Sequence, residues 1–191
     1  MKTLIENKNF LRQHFLKKRI SISSSELDEL SMKITLNVNS LKIWNFNYYH
    51  IFMTLKEKNE INTEELINIL RKKEKKIVVP KIFENDLKNF QITDSTNFKL
   101  NKLGINEPIE GNEIKNDLID VIFLPLIIFD IKGNRVGYGK GYYDRLLKSK
   151  SKKILKIGLS IFDPVDKILD VNNYDIKMDY CVTPKEVFKF Y

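Results

Sequence analysis

The strongest constraint on the fold is the run over residues 120–130 (DVIFLPLIIFD), which is the most apolar stretch of the chain. A strand that is apolar at nearly every position is typical of the centre of a parallel sheet, because it is covered on both faces. Pro125 has no N–H to donate from a strand interior, so we expect the strand to end near Leu124. The core is therefore expected to form around this central strand.

A strand, a helix and a second strand precede this run. Residues 48–54 are rich in β-branched and aromatic side chains and predict a strand, and the pattern Asn62-x-x-Glu65 predicts the start of a helix. Residues 77–79 (IVV) predict a short strand that Pro80 ends. Two strands joined by a helix lie parallel, and the crossover between them is almost always right-handed. This unit therefore predicts a pair of parallel strands.

Helices and short strands account for the rest of the chain. Helical periodicity predicts one helix over residues 3–18, and a capping box that begins at Ser23 predicts a second. Residues 85–117 are polar and predict irregular loops with one or two short strands. We expect a helix over residues 142–147 and a last strand over residues 154–160, followed by an acidic and apolar tail.

The chain is expected to fold as one domain over residues 1–191. It contains neither an internal repeat nor a linker rich in proline and serine, and its length is typical of a single domain. The 12 Phe and 8 Tyr residues, with many aliphatic ones, argue against a disordered chain. Together the elements predict an α/β fold, in which a mixed, largely parallel sheet is flanked by helices on both faces.

The net charge of +8 favours anionic partners, but its origin weakens an inference of nucleic-acid binding. Lysine supplies most of it, while the chain has 19 Asn and no Ala. The only arginines are Arg12, Arg19, Arg71, Arg135 and Arg145. This bias is typical of an AT-rich coding sequence, so part of the charge reflects mutational pressure. Small phosphorylated or carboxylated ligands fit the charge as well, and we expect no nucleic-acid partner.

A cytoplasmic protein without a membrane partner is expected. The single cysteine, Cys181, excludes an intramolecular disulfide and fits a reducing compartment, and its apolar Tyr-Cys-Val surroundings predict a buried strand. No run approaches the ~20 apolar residues of a membrane span, and the N-terminus lacks the apolar core of a secretory signal. A transit peptide is a weaker alternative, because Glu6 and the scarcity of arginine and serine nearby argue against it.

The segment most informative about function is residues 137–141 (GYGKG), here called the glycine segment. It lies between the apolar run and the helix over residues 142–147. Glycines allow the backbone to approach a ligand, N–H groups at the start of a helix attract an anion, and Lys140 adds a mobile positive charge. The segment differs from a P-loop, because Gly141 rather than Ser or Thr follows the lysine. A phosphate site and a glycine-rich surface turn with a solvated lysine fit the spacing about equally well.

A longer motif resembles one known family. Residues 134–145 (NRVGYGKGYYDR), preceded by Leu124-Pro125 and Phe129-Asp130, closely resemble the signature of the 5-formyltetrahydrofolate cyclo-ligases, also called 5,10-methenyltetrahydrofolate synthetases. Further features of the family follow in the same order, namely Lys8-x-x-Leu11-Arg12, Glu60-Ile61-Asn62-Thr63, Val79-Pro80-Lys81, Gly104-Ile105-x-Glu107-Pro108, and Asp175 and Asp179 before Val182-Thr183-Pro184. The resemblance therefore extends over nearly the whole chain.

The resemblance implies an enzyme that cyclises 5-formyltetrahydrofolate to 5,10-methenyltetrahydrofolate with ATP and Mg²⁺, and that acts as a monomer. An amide-like formyl group is a poor electrophile, and its oxygen is a poor leaving group. Transfer of the γ-phosphoryl group to that oxygen removes both obstacles, through a phosphorylated formyl intermediate, and ADP and phosphate are released. The protein has to align the reacting groups and neutralise the moving charge.

The resemblance also implies which residues act in this reaction. Lys140 and Arg135 would be catalytic, with Lys140 on the transferring phosphate, and Arg145 is a further candidate for an anion clamp. Asp144 would be catalytic and would bind Mg²⁺ together with Asp179. The residues implied at the ATP are Lys8, Asn9, Phe10, Leu11 and Arg12 of the first helix, Gly137, Tyr138, Gly139, Lys140 and Gly141 of the glycine segment (residues 137–141), and Tyr142, Tyr143 and Asp144 of the helix that follows it.

The folate contacts implied by the resemblance involve Met53, Glu60 and Tyr142. Glu60 would accept hydrogen bonds from the amino and ring N–H groups of the pterin, although an acidic residue just before a helix is favourable in any protein. Leu103 stands where many relatives carry an aromatic residue that stacks on the pterin. The folate contacts therefore depart further from the family pattern than the phosphate segment does.

Several alternatives stay open on sequence alone. Asp175 and Asp179 either bind metal or complete the fold, while His14 and His50 are expected to be structural, because the chain has no cluster of transition-metal ligands. Lys8 and Arg12 without the family would be an ordinary solvated basic face. For the whole chain, the alternatives are a basic RNA-associated protein and a folate- or nucleotide-binding protein that has lost catalysis.

Overall fold

The computed structural model describes residues 7–84, 86–148 and 153–191. Within these ranges the α-helices are α1 (Lys8–Ile20), α2 (Ser24–Asn39), α3 (Glu64–Lys72) and α4 (Tyr142–Lys148). The side chain of Ser23 accepts a hydrogen bond from Glu26 N and caps α2, as the capping box predicts. Residues 3–6 of the first predicted helix lie outside the described residues, and the described part of α1 continues to Ile20.

Most strands belong to one mixed sheet. In chain order the strands are β1 (Tyr48–His50), β2 (Lys76–Phe83), β3 (Asp86–Ile92), β4 (Phe98–Leu100), β5 (Asn106–Pro108), β6 (Asn112–Glu113), β7 (Val121–Pro125), β8 (Ile128–Phe129), β9 (Arg135–Val136), β10 (Leu155–Leu159), β11 (Tyr180–Val182) and β12 (Val187–Lys189). The large sheet has the order β12-β11-β10-β7-β1-β2-β3-β6, while β4 pairs with β5 and β8 pairs with β9. The central strands β11, β10, β7, β1 and β2 are parallel.

The central strand β7 is buried on both faces, as its apolar sequence predicts. Its residues 121–124 are fully buried, and successive side chains alternate between two cores. Phe123 belongs to the core that includes side chains of α2 and α3, whereas Leu124 belongs to the core that includes Leu146 of α4. The prediction of a mixed, largely parallel sheet with helices on both faces is therefore confirmed.

Pro80 does not end its strand, contrary to the prediction. Strand β2 continues to Phe83 because β3 pairs with it from Ile77 to Phe83, including Pro80 opposite Asn89. The proline instead ends the pairing of β2 with β1. Ile51 N donates to Val78 O at 2.9 Å, and the next bond of this parallel ladder would run from the N–H of residue 80, which proline lacks, to Ile51 O.

Other predicted elements differ from the structure in extent. The polar stretch over residues 85–117 contains β3, β4, β5 and β6, which is more strand than predicted, because polar side chains alternate on strands at the sheet edge. Strand β1 ends at His50 instead of residue 54. Helix α3 has Thr63 rather than Asn62 as its N-cap, and the Asn62 side chain accepts from Glu64 N. Strand β12 was not predicted.

The order of the strands places a switch point between β1 and β7. From β1 the chain crosses through α3 to β2 on one side, and it later returns to β7 on the other side. Crevices form at the carboxyl ends of parallel strands where the winding changes direction. The segments that follow β1 and β7 are therefore where a site is expected. None of the helices that the structure describes is both long enough and apolar enough to cross a membrane.

Candidate active site

The glycine segment joins the β8–β9 hairpin to α4. Gly139 has a φ of +91° and Gly141 a φ of +68°, which are backbone conformations that side chains with a Cβ rarely adopt. Lys140, between them, is exposed. The local sequence therefore forms a tight backbone turn that presents one lysine beside the carboxyl end of β7.

A charged cavity of about 260 Å³ lies on one side of this segment. Its lining combines cationic side chains with two carboxylates, which makes it suited to an anion that carries a metal ion. The charged residues that line it are Lys8, Arg12, Arg135, Lys140, Asp144 and Asp175. The structure thus brings together the N-terminal basic pair and the glycine segment, which are far apart in sequence.

Helix α1 contributes Lys8 and Arg12, which lie four residues apart and therefore share one helix face. Lys8 Nζ forms an ion pair with Asp175 Oδ2 at 2.5 Å, and both side chains are largely buried. Arg12 Nε donates to Gly137 O at 2.8 Å. The guanidinium also lies close to Gly139, where an added Cβ would be 3.4 Å from Cζ of Arg12. These contacts attach α1 to the glycine segment.

The three residues between this pair do not line the charged cavity. Asn9 is exposed, and Leu11 is buried and packs in a small core with Ile128, Val136 and Ile168. Phe10 packs against the same core. Their side chains therefore pack or face solvent, and the contacts with ATP that the resemblance implies for them stay a prediction.

Arg135 holds Asp144 in place. Arg135 Nη2 donates to Asp144 Oδ1 at 2.7 Å, and Ile176 N donates to the same oxygen at 3.1 Å. The Arg135 side chain is only 6% exposed and its Nη1 donates to Ile176 O. Its position therefore favours the orientation of Asp144 over direct contact with a ligand as the role of Arg135.

The chemistry of the carboxylates in the charged cavity fits Mg²⁺. The hydrogen bonds of Asp144 use Oδ1, and those of Asp175 from Lys8 and Asn172 use Oδ2, which leaves the second oxygen of each carboxylate for a cation. No group of three or more acidic, histidine or cysteine side chains suited to a metal is found among the described residues. Mg²⁺ commonly binds one or two carboxylates together with substrate phosphates.

Two predicted residues lie elsewhere. Asp179 does not line the charged cavity, and its carboxylate accepts from both Nζ and N of Lys156, at 2.7 and 2.8 Å. These bonds fix Asp179 to the start of β10, outside the lining of the charged cavity, and its binding of metal with Asp144 stays a prediction. Arg145 lies behind the glycine segment, where its side chain donates to Lys140 O at 2.9 Å and to Asp86 at 3.0 Å.

A second, mostly apolar cavity of about 380 Å³ lies on the other side of the glycine segment. Its volume falls in the range of small-molecule pockets, roughly 300–1,000 Å³. Met53, Glu60, Tyr142 and Leu103 all line it, as expected for residues that the resemblance places around the folate. Leu103 is 54% exposed and forms part of the open side of this cavity.

Glu60 is the buried charge of the apolar cavity, with 4% of its surface exposed. Burial raises the pKa of its carboxyl group, while Arg19, Leu55 N and Tyr138 act in the opposite direction. Arg19 was not predicted as a site residue, although it is 2% exposed and lies next to this carboxylate network. The available signal in the sequence was that arginine is rare in this chain, so that each arginine is a candidate for a specific role.

The two cavities share one wall. Lys140 and Pro125 line both, together with the aromatic residues Tyr138, Tyr142 and Tyr143. Pro125 is the last residue of β7, so the shared wall stands at the switch point of the sheet. Groups bound in the two cavities would therefore both lie next to Lys140 and these aromatic rings.

The histidines lie outside this arrangement. His14 stacks on Phe10 on α1, with ring centroids 5.7 Å apart. His50 is buried at the end of β1 and packs edge-on against the ring of Tyr143. Neither lines either cavity, which agrees with the structural roles predicted for both.

Comparisons with known proteins identify the family. The model of the 5-formyltetrahydrofolate cyclo-ligase family matches residues 4–184. The chain belongs to this family. The family predicted from the glycine motif is therefore confirmed, and with it an enzyme of the cyclo-ligase type.

Individual relatives match over most of their length. A probable 5-formyltetrahydrofolate cyclo-ligase of Schizosaccharomyces pombe is 29% identical over 180 residues, which cover 85% of this chain and 88% of the relative. The 5-formyltetrahydrofolate cyclo-ligase of Mycoplasma genitalium is also 29% identical, over 92% of this chain and 98% of the relative.

Solved structures of the family have the same fold. The NMR structure of the 5,10-methenyltetrahydrofolate synthetase of Aquifex aeolicus is 33% identical, with a TM-score of 0.82, and the match covers 96% of this chain and 92% of that one. The synthetase of Mycoplasma pneumoniae, at 22% identity and a TM-score of 0.73, supports the fold alone.

Proposed function

We propose that this chain catalyses the cyclisation of 5-formyltetrahydrofolate to 5,10-methenyltetrahydrofolate, with ATP as the phosphoryl donor and Mg²⁺ as the metal. Membership of the cyclo-ligase family supports the folate conversion. The observation that carries the ATP-dependent part is the wall that the charged and apolar cavities share, with Lys140 on both sides of it. A phosphoryl donor in one cavity and its acceptor in the other would meet at this lysine.

The charged cavity supplies the means to handle phosphates. Lys8 and Arg12 extend a cationic surface from α1 towards the glycine segment, and Lys140 adds a charge where the transferring group would lie. Transfer of the γ-phosphoryl group to the formyl oxygen forms the new P–O bond as the bond to ADP breaks. Nitrogen 10 then attacks the formyl carbon, and phosphate leaves with the former carbonyl oxygen.

Asp144 and Asp175 are the side chains that would hold Mg²⁺, which when bound neutralises phosphate charge. Arg135 keeps Asp144 directed into the cavity, and Lys8 does the same for Asp175. Because each carboxylate is already fixed by a cation, little reorganisation would accompany metal binding. The pairing also limits the repulsion between these carboxylates and the phosphates when the metal is absent.

The apolar cavity supplies the means to hold the folate. Glu60 provides paired carboxylate oxygens for the N–H edge of a pterin, and Met53 and Leu103 provide apolar walls. Both cavities are formed within one chain, which supports a monomer. We also propose that residues 1–191 form one domain that acts in the cytoplasm, since the buried Cys181 has no disulfide partner.

The RNA-associated alternative is disfavoured by the use of the arginines. Arg12, Arg19 and Arg135 all donate to groups of the chain itself. Arg145 also donates to Asp86 and Lys140 O. Nucleic-acid sites commonly present arginine beside exposed aromatic rings, and most of the few arginines here are committed to internal bonds.

The direct test is an assay of the purified chain with 5-formyltetrahydrofolate, ATP and Mg²⁺, followed by the near-ultraviolet absorbance of the methenyl product. We expect product to form only when both ATP and Mg²⁺ are present, with one ADP released per product. Omission of ATP and removal of Mg²⁺ by a chelator are the controls. A folded chain that binds nucleotide but forms no product would contradict the proposal and favour a binding protein.

Arg12→Lys is expected to raise the KM for ATP about tenfold and to leave the KM for 5-formyltetrahydrofolate unchanged. Lysine keeps the charge but loses the Nε donor that holds Gly137 O at 2.8 Å. Steady-state rates with varied ATP at saturating folate measure this effect. Arg71→Lys is the matched control, because Arg71 pairs with the exposed Asp94 away from both cavities. A parental KM for ATP in Arg12→Lys would contradict the assignment.

A further inference from the structure

A buried chain of three polar side chains connects α1, the glycine segment and the apolar cavity. Arg19 Nη2 donates to the hydroxyl oxygen of Tyr138, and the Tyr138 hydroxyl donates to Glu60 Oε1 at 2.8 Å. The second carboxylate oxygen, Oε2, accepts from Leu55 N at 2.9 Å. These residues are distant in sequence, so the contacts exist only in the folded chain.

The direction of each hydrogen bond follows from the donor inventory. A guanidinium group has donors and no acceptor, so the oxygen of Tyr138 must accept from Arg19. The hydroxyl proton is then left for Glu60, and Leu55 N adds a second donor to the same carboxylate. A carboxyl group that accepts at both oxygens is stabilised in its ionised form.

Arg19 is itself rigidly held. Its Nε donates to Lys58 O at 2.9 Å, and its Nη1 donates to Leu126 O at 3.1 Å. The Tyr138 ring lies 5.5 Å from the guanidinium carbon, which adds a cation–π contact. Because Arg19 and Glu60 are both almost fully buried, neither charge is stabilised by bulk water, and each depends on this network.

We propose that Arg19 and Tyr138 are positioning residues, which keep Glu60 ionised and oriented in the apolar cavity. Neither residue is required to touch the folate through its polar group. Tyr138 instead transmits the positive charge of Arg19 to the carboxylate by a hydrogen bond. The role of Glu60 towards a folate rests on the proposed function, but the ionisation of Glu60 in the free chain does not.

The titration behaviour of the network has a clear physical cause. Burial raises the pKa of the Tyr138 hydroxyl, and the negative charge of Glu60 raises it further, so the phenol stays protonated and remains a donor. Burial also raises the pKa of Glu60, and loss of the hydroxyl would raise it more, because one of the bonds to the charged form disappears. Protonation would then remove acceptor capacity from Glu60 at a higher pH.

Other ionisable groups also face Glu60 across the apolar cavity. They belong to the 3-10 helix at Lys56–Lys58, to the β4–β5 hairpin with its connecting turn, and to the glycine segment with the start of α4. These groups are Glu57, Lys58, Lys102, Glu107, Lys140, Tyr142 and Tyr143. All of them remain in a variant that lacks only the Tyr138 hydroxyl, so a change in the titration of Glu60 reports on that hydroxyl.

The test is an NMR titration of the free protein labelled with ¹³C at glutamate side-chain carboxyls, with the Glu60 signal assigned by Glu60→Gln. We expect Tyr138→Phe to move the midpoint of Glu60 upward by about one pH unit, a tenfold change in its ionisation constant. Tyr48→Phe is the matched control, because this substitution removes only an exposed hydroxyl that accepts from Lys76 Nζ at the start of β1. The Glu60 midpoint should equal that of the parent in this control. A Glu60 midpoint in Tyr138→Phe that equals that of the parent would overturn the proposal.

Arg19→Lys provides a second variant, because lysine keeps the charge but not the planar set of donors. We expect the same upward direction in this variant, and an unchanged midpoint contradicts the role of Arg19. With turnover, the acid limb of kcat/KM for 5-formyltetrahydrofolate should move upward in Tyr138→Phe. If Tyr138→Phe shifts the Glu60 midpoint but the parent forms no product, the proposed function is refuted and the positioning role stands.

Discussion

Lys140→Ala is expected to slow ATP-dependent formation of the methenyl product about a thousandfold, while the fold stays intact. The loss follows from the position of Lys140 on the wall between the charged and apolar cavities, where charge moves during phosphoryl transfer. Removal of one group that stabilises charge in a transition state commonly costs a factor of about 10²–10³ in kcat. The side chain is exposed, so its truncation leaves no cavity in the core.

The measurement is kcat at saturating ATP and 5-formyltetrahydrofolate, with circular dichroism as the check on folding. Lys132→Ala is the matched control, because Lys132 is an exposed lysine in the turn between β8 and β9 and lines neither cavity. We expect this control to retain the parental rate. A parental rate in Lys140→Ala would instead favour the alternative in which the glycine segment is a surface turn with a solvated lysine.

The largest effect on stability is expected for Gly158→Val. Gly158 lies in β10 between β7 and β11, and its α-carbon faces a filled core. A Cβ at this position would be 2.3 Å from Met178 Sδ and 2.7 Å from Leu126 Cδ2. We expect the free energy of unfolding to fall by about 3 kcal/mol, because overpacking forces neighbouring side chains and the strand to move.

Urea denaturation followed by circular dichroism measures this change as a lower midpoint. Gly137→Ala is the matched control for stability, since an added Cβ there would meet no atom within 4 Å. The control is expected to stay within about 0.5 kcal/mol of the parent. Equal midpoints for Gly158→Val and the parent would show that Met178 and Leu126 move aside without cost.

The parts of the fold that follow from local pattern could be predicted from the sequence. The apolar run that became β7 needs cover on both faces, and the capping box at Ser23 acts within one turn of helix. The prediction for Pro80 is wrong because the effect of its missing N–H depends on which neighbouring strand that position faces, and tertiary structure decides this. Strand β12 lacks a local signal, since it is stabilised by its pairing with β11.

In the candidate site, too, features set by local sequence could be predicted and features set by tertiary contacts could not. The glycine segment carries its own conformational signal, so Lys140 and its neighbours could be placed from sequence. Arg19 could not, because its role depends on contacts between residues far apart in the chain, and for Asp175 the sequence leaves metal binding and completion of the fold both open. The motif implies a metal role for Asp179, whereas the bonds from Lys156 to its Oδ2 are visible only in the folded chain.

The proline within β2 has a consequence for the shape of the apolar cavity. Beyond residue 78 the pairing of β1 with β2 stops, because Pro80 has no N–H to donate to Ile51 O. Phe52 and Met53, which follow β1, lie on one side of the resulting gap, and Pro80 and Ile82 of β2 lie on the other. All four line the apolar cavity. At this end of the apolar cavity the gap between the two strands thus begins at a missing main-chain hydrogen bond.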